Sequence, residues 1–196
     1  MTAAGRLQPL DWQAYLEGEE RAKHKHEYVC GYVYAMAGAK YQHNRIASNA
    51  LFALRLRLQD SPCEVVGSDQ KVRIRNADGY SFFYPDCMVV CGPKNPDLPY
   101  SDDPAVIVEV LSTSTRRIDE GEKRRAYLTI PSLAVYLLVD SERAEAALWR
   151  RSGTEFKHEV FVDPSASIPL PEIGVSLPIA ELYANVEWRP SDPLED

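Results

Sequence analysis

No stretch of this chain approaches the roughly 20 consecutive apolar residues that a membrane-spanning helix needs, so a helical membrane protein is excluded. The opening residues, MTAAGRLQPLDW, carry one arginine and no apolar run. They do not read as a secretory leader, and the expectation is a cytoplasmic protein with no membrane partner. There is no internal repeat, low-complexity tract or interdomain linker, which removes solenoids and tethered arrays. Positive charge is short as well. Lys and Arg number 22 against 29 Asp and Glu, a formal net charge of −7. A simple DNA-coating protein would be basic overall. A carboxylate-rich metal site is compatible with this balance, because a local basic patch can still steer an anionic substrate. Acidic residues also gather away from the candidate site described below, at Asp97, Asp102, Asp103, Asp192, Glu195 and Asp196. Cysteine is scarce, with four residues at 30, 63, 87 and 91. Cys87 and Cys91 are too far apart for a tight zinc knuckle, and no second pair completes one. In a reducing compartment all four are expected as unbridged, mostly buried apolar residues.

What is present is an ordinary globular composition, 45% hydrophobic and 26% charged over 196 residues, enough for one domain spanning 1–196 with a real core. Residues 10–20 read as a short helix with Asp11 as its cap. Residues 27–36 alternate aromatic and β-branched side chains, a strand with a bulge at Gly31. Residues 41–59 repeat apolar positions at helical spacing until Ser61-Pro62. Residues 63–75 and 81–91 read as a pair of long strands around the turn at Asn76, Asp78 and Gly79. A proline-rich loop fills 92–104. Residues 105–111, AVIVEVL, form a strand covered on both faces. A helix follows over 119–130, then strands at 134–140 and 145–150. Short strands and a small helix near 178–184 complete the chain. The order implies an α/β fold, a mixed β-sheet flanked by helices.

Two carboxylates stand inside otherwise apolar strands. Asp86 lies in FFYPDCMVV and Glu109 in VIVEVL. A charge in such a place is costly unless it is paired or binds a metal. Either residue alone fits a strand-end carboxylate bonded to a backbone amide. Together, with Pro85 before the aspartate, they favour a site. If the two strands pair, both side chains reach one spot, and two hard oxygen donors there suit magnesium or manganese.

At this point the residues resemble a known family. Pro85-Asp86, Glu109 in IVEVLSTST, then Asp119, Lys123 and Tyr127 in DEGEKRRAY, and PSLAVYLLVD are similar to the Uma (Uma-two) family of restriction-endonuclease-like proteins, part of the PD-(D/E)XK nuclease superfamily. The earlier segment EYVCGYVYAMAGAKYQHNRIASNAL matches the family's opening, a glutamate before a strand and a histidine starting a helix. The likeness runs from about Leu10 to about Tyr183. It implies a restriction-endonuclease-like fold and metal-dependent phosphodiester hydrolysis, with Asp86 and Glu109 holding magnesium or manganese beside the Val110 carbonyl. One position departs: the superfamily's lysine, two residues after the glutamate, is Leu111 here. Lys123 is the substitute, sharing a helix face with Asp119 and Tyr127. Glu27 and His43 match the family's early glutamate and histidine and join Asp119 as secondary candidates. Gln70 is a weaker one, reading better as an exposed strand residue.

Arg116, Arg117, Arg124 and Arg125 lie close in sequence to the site and are placed to meet flanking phosphates of DNA. No recognition helix, zinc module or aromatic platform is evident that would set sequence preference. Cutting both strands of a duplex needs two active sites, so a homodimer is expected, with Tyr183 and Trp188 as an apolar contact. Three other readings stay open: a catalytically silent nucleic-acid-binding relative with a decayed site at Leu111, a metal-dependent hydrolase of another phosphodiester, and a purely structural or partner-binding protein.

Overall fold

The first helix, α1 (Trp12–Glu19), starts where Asp11 accepts the Gln13 N–H at 2.8 Å, a side-chain cap of an otherwise orphan donor. The computed structural model describes residues 8–187; Trp188 and the acidic tail fall outside the described residues.

The expected bulged strand over 27–36 is two strands. β1 (His26–Val29) and β2 (Tyr32–Ala35) form an antiparallel hairpin with Val29 opposite Tyr32. Its two-residue loop, Cys30-Gly31, has φ of +46° and +101°, the positive pair that a tight hairpin turn requires. The alternation of aromatic residues runs straight through this turn and hides it. At Gly31 a Cβ would lie 2.4 Å from the Pro9 Cβ. Gly31→Ala is therefore expected to destabilise the protein by about 1–3 kcal/mol through backbone strain and overlap. Thermal unfolding checks this, and an unchanged midpoint contradicts it.

α2 (Tyr41–Arg57) covers most of its expected span and buries Ile46, Ala50, Ala53 and Leu54. The two long strands expected next each break, and their halves join different sheets. β3 (Glu64–Gly67) pairs with β6 (Cys87–Val90), while β4 (Lys71–Asn76) pairs with β5 (Gly79–Phe83). The breaks fall at Ser68–Gln70 and Tyr84–Asp86. Pro85 explains the second, since it has no N–H to give a ladder. Registers Gly67 with Cys87 and Val72 with Phe83 set the two breaks side by side. The chain thus crosses twice from one sheet to the other at a single fork, and Asp86 sits in it.

Beyond the fork come β7 (Tyr100–Ser101), β8 (Pro104–Leu111), β9 (Val135–Asp140), β10 (Ala146–Ser152), β11 (Glu155–Phe161), β12 (Ser167–Leu170) and β13 (Val175–Pro178). One sheet runs β2-β1-β5-β4-β7 and the other β11-β10-β9-β8-β6-β3. β8 is antiparallel to β6 and parallel to β9, so the larger sheet is mixed, and the α/β architecture stands. α2, the β12–β13 hairpin and α5 (Ile179–Leu182) pack on one face of the larger sheet around Leu54, Val108 and Leu177. Its other face carries Ile107, Leu111, Tyr136 and Leu138, which meet Phe83 and Val72 of the smaller sheet. β11 is a full seven-residue strand that polar EFKHEVF concealed.

Two further expectations need correction. Cys63 and Cys91 form a disulfide rather than staying unbridged. The cause is register: Glu64 lies opposite Val90, so the next residues out are neighbours. Cys30 and Cys87 are free thiols, and burial keeps the Cys87 thiol protonated. Tyr183 is not an exposed contact residue. It is 9% exposed, its hydroxyl accepts the Glu145 N–H and lies 2.9 and 2.7 Å from the Asp140 and Glu145 carbonyls. Among the described residues, no helix is long and apolar enough to cross a membrane.

Candidate active site

β8 is buried from Val106 onward, and Glu109 is its single charge, 4% exposed. Cys87 of β6 faces Val108, so the residue before the strand, Asp86, comes level with Glu109. Main-chain N–H groups bond to the carboxylates across this pairing in both directions. Val110 N–H donates to Asp86 Oδ2 at 2.7 Å, and Asp86 N–H reaches Glu109 Oε2 at 3.4 Å. These are the two carboxylates that the apolar strand pattern singles out.

The helix expected over 119–130 begins earlier and is not regular. α3 (Arg116–Ile118) runs into a π-helical turn, Asp119–Lys123, and then α4 (Arg124–Tyr127). Tyr136 of β9 donates its hydroxyl to the Asp119 carbonyl at 3.1 Å, which pins this wide turn to the sheet. π-turns of this kind occur often at functional sites. Here it delivers Asp119 and Lys123 inward, both buried. Lys123 Nζ lies 2.9 Å from Glu27 Oε1, 3.2 Å from Glu109 Oε1 and 3.5 Å from Asp119 Oδ1. Tyr127, one turn on, donates to Glu109 Oε1 at 2.9 Å. Glu27 comes from β1 and also takes the Tyr84 N–H at 3.4 Å.

His43 enters from the first turn of α2, with Nε2 3.3 Å from Asp86 Oδ2. Its Nδ1 is buried without a hydrogen-bond partner among the described residues. Burial pulls the imidazole pKa down, but the hydrogen bond and charge of Asp86 outweigh it and the net shift is upward.

The cluster brings Glu27, Asp86, Glu109 and Asp119 around one lysine, an excess of negative charge in a dry place. Burial raises the Glu109 carboxyl well above its ordinary range; Lys123 opposes this, while Asp119, Asp86 and Glu27 add to it. Burial likewise raises Asp119. On Lys123, burial lowers the pKa, yet the three carboxylates prevail and hold it firmly charged. The Tyr127 hydroxyl is kept protonated by burial first and by Glu109 second.

A divalent cation fits the donor chemistry at Asp86 and Glu109. Asp86 Oδ2 is engaged by Val110 and His43, while Oδ1 has no partner among the described residues. The Val110 backbone adds to the upward pull on the His43 imidazole. Among the described residues, no three His, Cys, Asp or Glu side chains form a complete metal cage. Magnesium binds through one or two carboxylates and fills its remaining positions with waters and substrate oxygens.

The four arginines read as phosphate contacts differ in their surroundings. Arg116 is bound to Asp140 at 2.6 Å and Glu120 at 3.1 Å, so its charge is locally balanced. Arg117 and Arg125 are exposed. Arg124 lies over the Trp149 ring, 4.7 Å from its centroid, and Trp149 meets the His158 ring at 4.7 Å. This stack holds one tryptophan, one histidine and one arginine. Three separate elements build it, which no local motif reveals. Gln70 donates to the Leu98 carbonyl at 3.3 Å and makes no hydrogen bond to the site's carboxylates. Tyr127 and Tyr136 are the polar groups that the candidate residues omitted. The i+4 spacing from Lys123 marks the first, and a lone hydroxyl in apolar VYLLVD marks the second.

A model of the Uma2 family, described as putative restriction endonuclease, matches residues 12–180. The chain belongs to the Uma2 family. It is 34% identical over 180 residues to the uncharacterized protein slr1290 of Synechocystis, covering 91% of this chain and 94% of that one. A second Synechocystis protein, the uncharacterized sll1609, is 40% identical over 129 residues, 64% of this chain and 72% of the relative. The fold is similar to the crystal structure of a putative nuclease from Anabaena variabilis. The TM-score is 0.66 at 17% identity, covering 83% of this chain and 92% of that one. In this Uma2 chain Leu111 is 4% exposed and packs among Ile107, Tyr127 and Leu138. Its side chain supplies no charge, and the ammonium beside Glu109 is that of Lys123.

Proposed function

We propose that this protein is a metal-dependent nuclease that hydrolyses phosphodiester bonds of nucleic acid, with DNA as the substrate. The observation that supports it most is the meeting of Asp86, Glu109 and Lys123 at the fork of two sheets. Asp86 and Glu109 would hold magnesium or manganese, with the Val110 carbonyl as a third oxygen. The ion, when bound, supplies Lewis-acid polarisation of a phosphoryl oxygen and a lowered pKa for a water.

The chain's own groups do the rest. Val110 N–H and His43 orient Asp86, and Tyr127 and Lys123 orient Glu109. Lys123 is preorganised by Glu27 and Asp119 and stabilises negative charge as it builds on the phosphate. Arg117, Arg125 and the Arg124–Trp149 stack offer contacts to flanking nucleotides. Leu111 favours one rival, a silent nucleic-acid-binding protein.

Substrate class is tested by incubating the purified chain and magnesium with plasmid DNA, single-stranded RNA and a small aryl phosphodiester. The proposal expects cleavage of plasmid above the other two. Turnover of the small ester alone would replace nuclease with another phosphodiesterase. A double-strand cut also calls for two sites, so a homodimer is expected at working concentration. Light scattering reads it directly, and a monomeric mass contradicts it.

A further inference from the structure

Of the eleven tyrosines in the chain, Tyr32 and Tyr34 are the two whose side chains make no hydrogen bond or ring contact among the described residues. Each of the others commits its hydroxyl or its ring to another group of the protein. Tyr32 is 48% exposed and Tyr34 54%. Both stand on β2, the outer strand of the smaller sheet. Register decides which way their rings face. Tyr34 is paired with Glu27 and Tyr32 with Val29. Opposed residues of an antiparallel pair share a face, with Cβ atoms about 4.5–5.5 Å apart. Glu27 turns towards the site: its Oε1 is 2.9 Å from Lys123 Nζ, which is 3.2 Å from Glu109 Oε1. Val29 packs on that same inner face, against the cluster of Val72, Phe83 and Leu111. Tyr34 therefore stands beside Glu27 on the side of the sheet that carries the carboxylates and the lysine. Tyr32 follows about 7 Å further along that face. Val33, between them, pairs with Tyr28 and belongs to the opposite face.

A ring with no partner inside the protein, next to a site suited to a phosphate, offers a flat apolar surface to what the phosphate carries. Every nucleobase has a π-face, and stacking on an aromatic side chain tolerates any of them. The stretch around Tyr34, YVYAMAGA, has no charge, which suits a base and not a second phosphate. We propose that Tyr34, with Tyr32 beside it, is the stacking platform for a nucleobase next to the scissile phosphodiester, and that the substrate there is single-stranded or locally unpaired. A base inside a duplex has both faces covered and must first leave the stack. That the neighbouring phosphodiester is cut rests on the nuclease reading; the stacking of a base does not.

The test is binding without catalysis, by fluorescence titration in EDTA. Two single-stranded DNA oligomers of equal length and charge are compared, one of thymidines and one abasic throughout, together with a duplex of the thymidine oligomer. The parent is expected to bind the thymidine oligomer about tenfold more tightly than the abasic one, Tyr34→Ala to lose that advantage and Tyr34→Phe to keep it. The slope of log K against log salt should be the same in all, because no charge is removed. Val33→Ala, on the opposite face of the same strand, should bind like the parent. Tyr34→Ala that holds the thymidine oligomer as tightly as the parent overturns the platform. An equal loss on the abasic oligomer does so too, since the contact is then not with a base, and so does an equal loss in Val33→Ala. A parent that prefers the duplex overturns the single-stranded assignment. If Tyr34→Ala turns a dimer into a monomer in light scattering, the ring serves a second copy of the chain and the platform falls. If binding depends on the base and on Tyr34 while the parent fails to cleave DNA in magnesium, the platform stands and the hydrolytic reading falls.

Discussion

Replacing Asp86 by asparagine is expected to abolish the thermal stabilisation that magnesium or manganese gives the parent protein. A ligand bound only by the folded state adds about 2.7 kcal/mol at a hundredfold excess over its dissociation constant. For a chain of this size that raises the unfolding midpoint by roughly 5–10 °C. Asparagine is the informative substitution. Its side-chain oxygen still accepts the Val110 N–H that Asp86 Oδ2 takes at 2.7 Å, so the strand junction is kept while the charge is lost. Without metal the variant should be at least as stable as the parent, since one of four clustered carboxylates has gone. Differential scanning calorimetry with and without cation reads both effects. A parent protein indifferent to magnesium and manganese removes the metal site, and an equal shift in the variant moves it elsewhere.

Lys123→Met carries the largest expected effect on stability. It removes the ammonium that lies within 2.9–3.5 Å of Glu27, Glu109 and Asp119. Breaking a buried ion pair from one side typically costs about 3–5 kcal/mol, because the partner charge stays behind. The sign of the pH dependence follows from the carboxylates. Glu109 and Asp119 are both raised above their ordinary values of 4.5 and 3.8, and Lys123 is the group that pulls each of them back. An acid with a raised folded-state pKa contributes stability below its ordinary value and loses it as pH climbs through the folded value. With Lys123 gone, the folded values rise further, so the loss should be smaller at pH 5 and grow towards pH 8. Denaturant unfolding of both proteins at these two pH values measures it. A loss that shrinks with rising pH would contradict the placement of Lys123 among ionisable carboxylates.

Parts of this arrangement are plain in the residue order. Glu109 stands out as the lone charge in VIVEVL, and Pro85 flags Asp86. Asp119, Lys123 and Tyr127 repeat at four. What the pattern does not carry is where a strand changes sheet. In the run from Phe82 to Val90 only Pro85 and Asp86 interrupt the apolar residues, and side-chain burial is equally satisfied on either side of the fork, so the change of sheet leaves no other mark. Cys30-Gly31 is hidden for the same reason, because the alternation on both sides of the turn keeps phase. The Cys63–Cys91 bond depends on the β3–β6 register, a long-range fact. The π-turn also escapes local reading, since DEGEK has the composition of an ordinary solvated helix and only the Tyr136 contact shows why Asp119 and Lys123 turn inward. His43 and Glu27 are single polar residues without periodic signal; the family resemblance pointed to them, and the fold brings them to Asp86 and Lys123.

The most direct test is nicking of supercoiled plasmid by the parent protein and by Asp86→Asn, Glu109→Gln and Lys123→Met, each shown to be folded, in magnesium and in EDTA. The account predicts conversion by the parent in magnesium alone and rates lower by about 10²–10³ or more in all three variants. A parent protein inert in both magnesium and manganese, or an Asp86→Asn variant that cuts as fast as the parent, would contradict it.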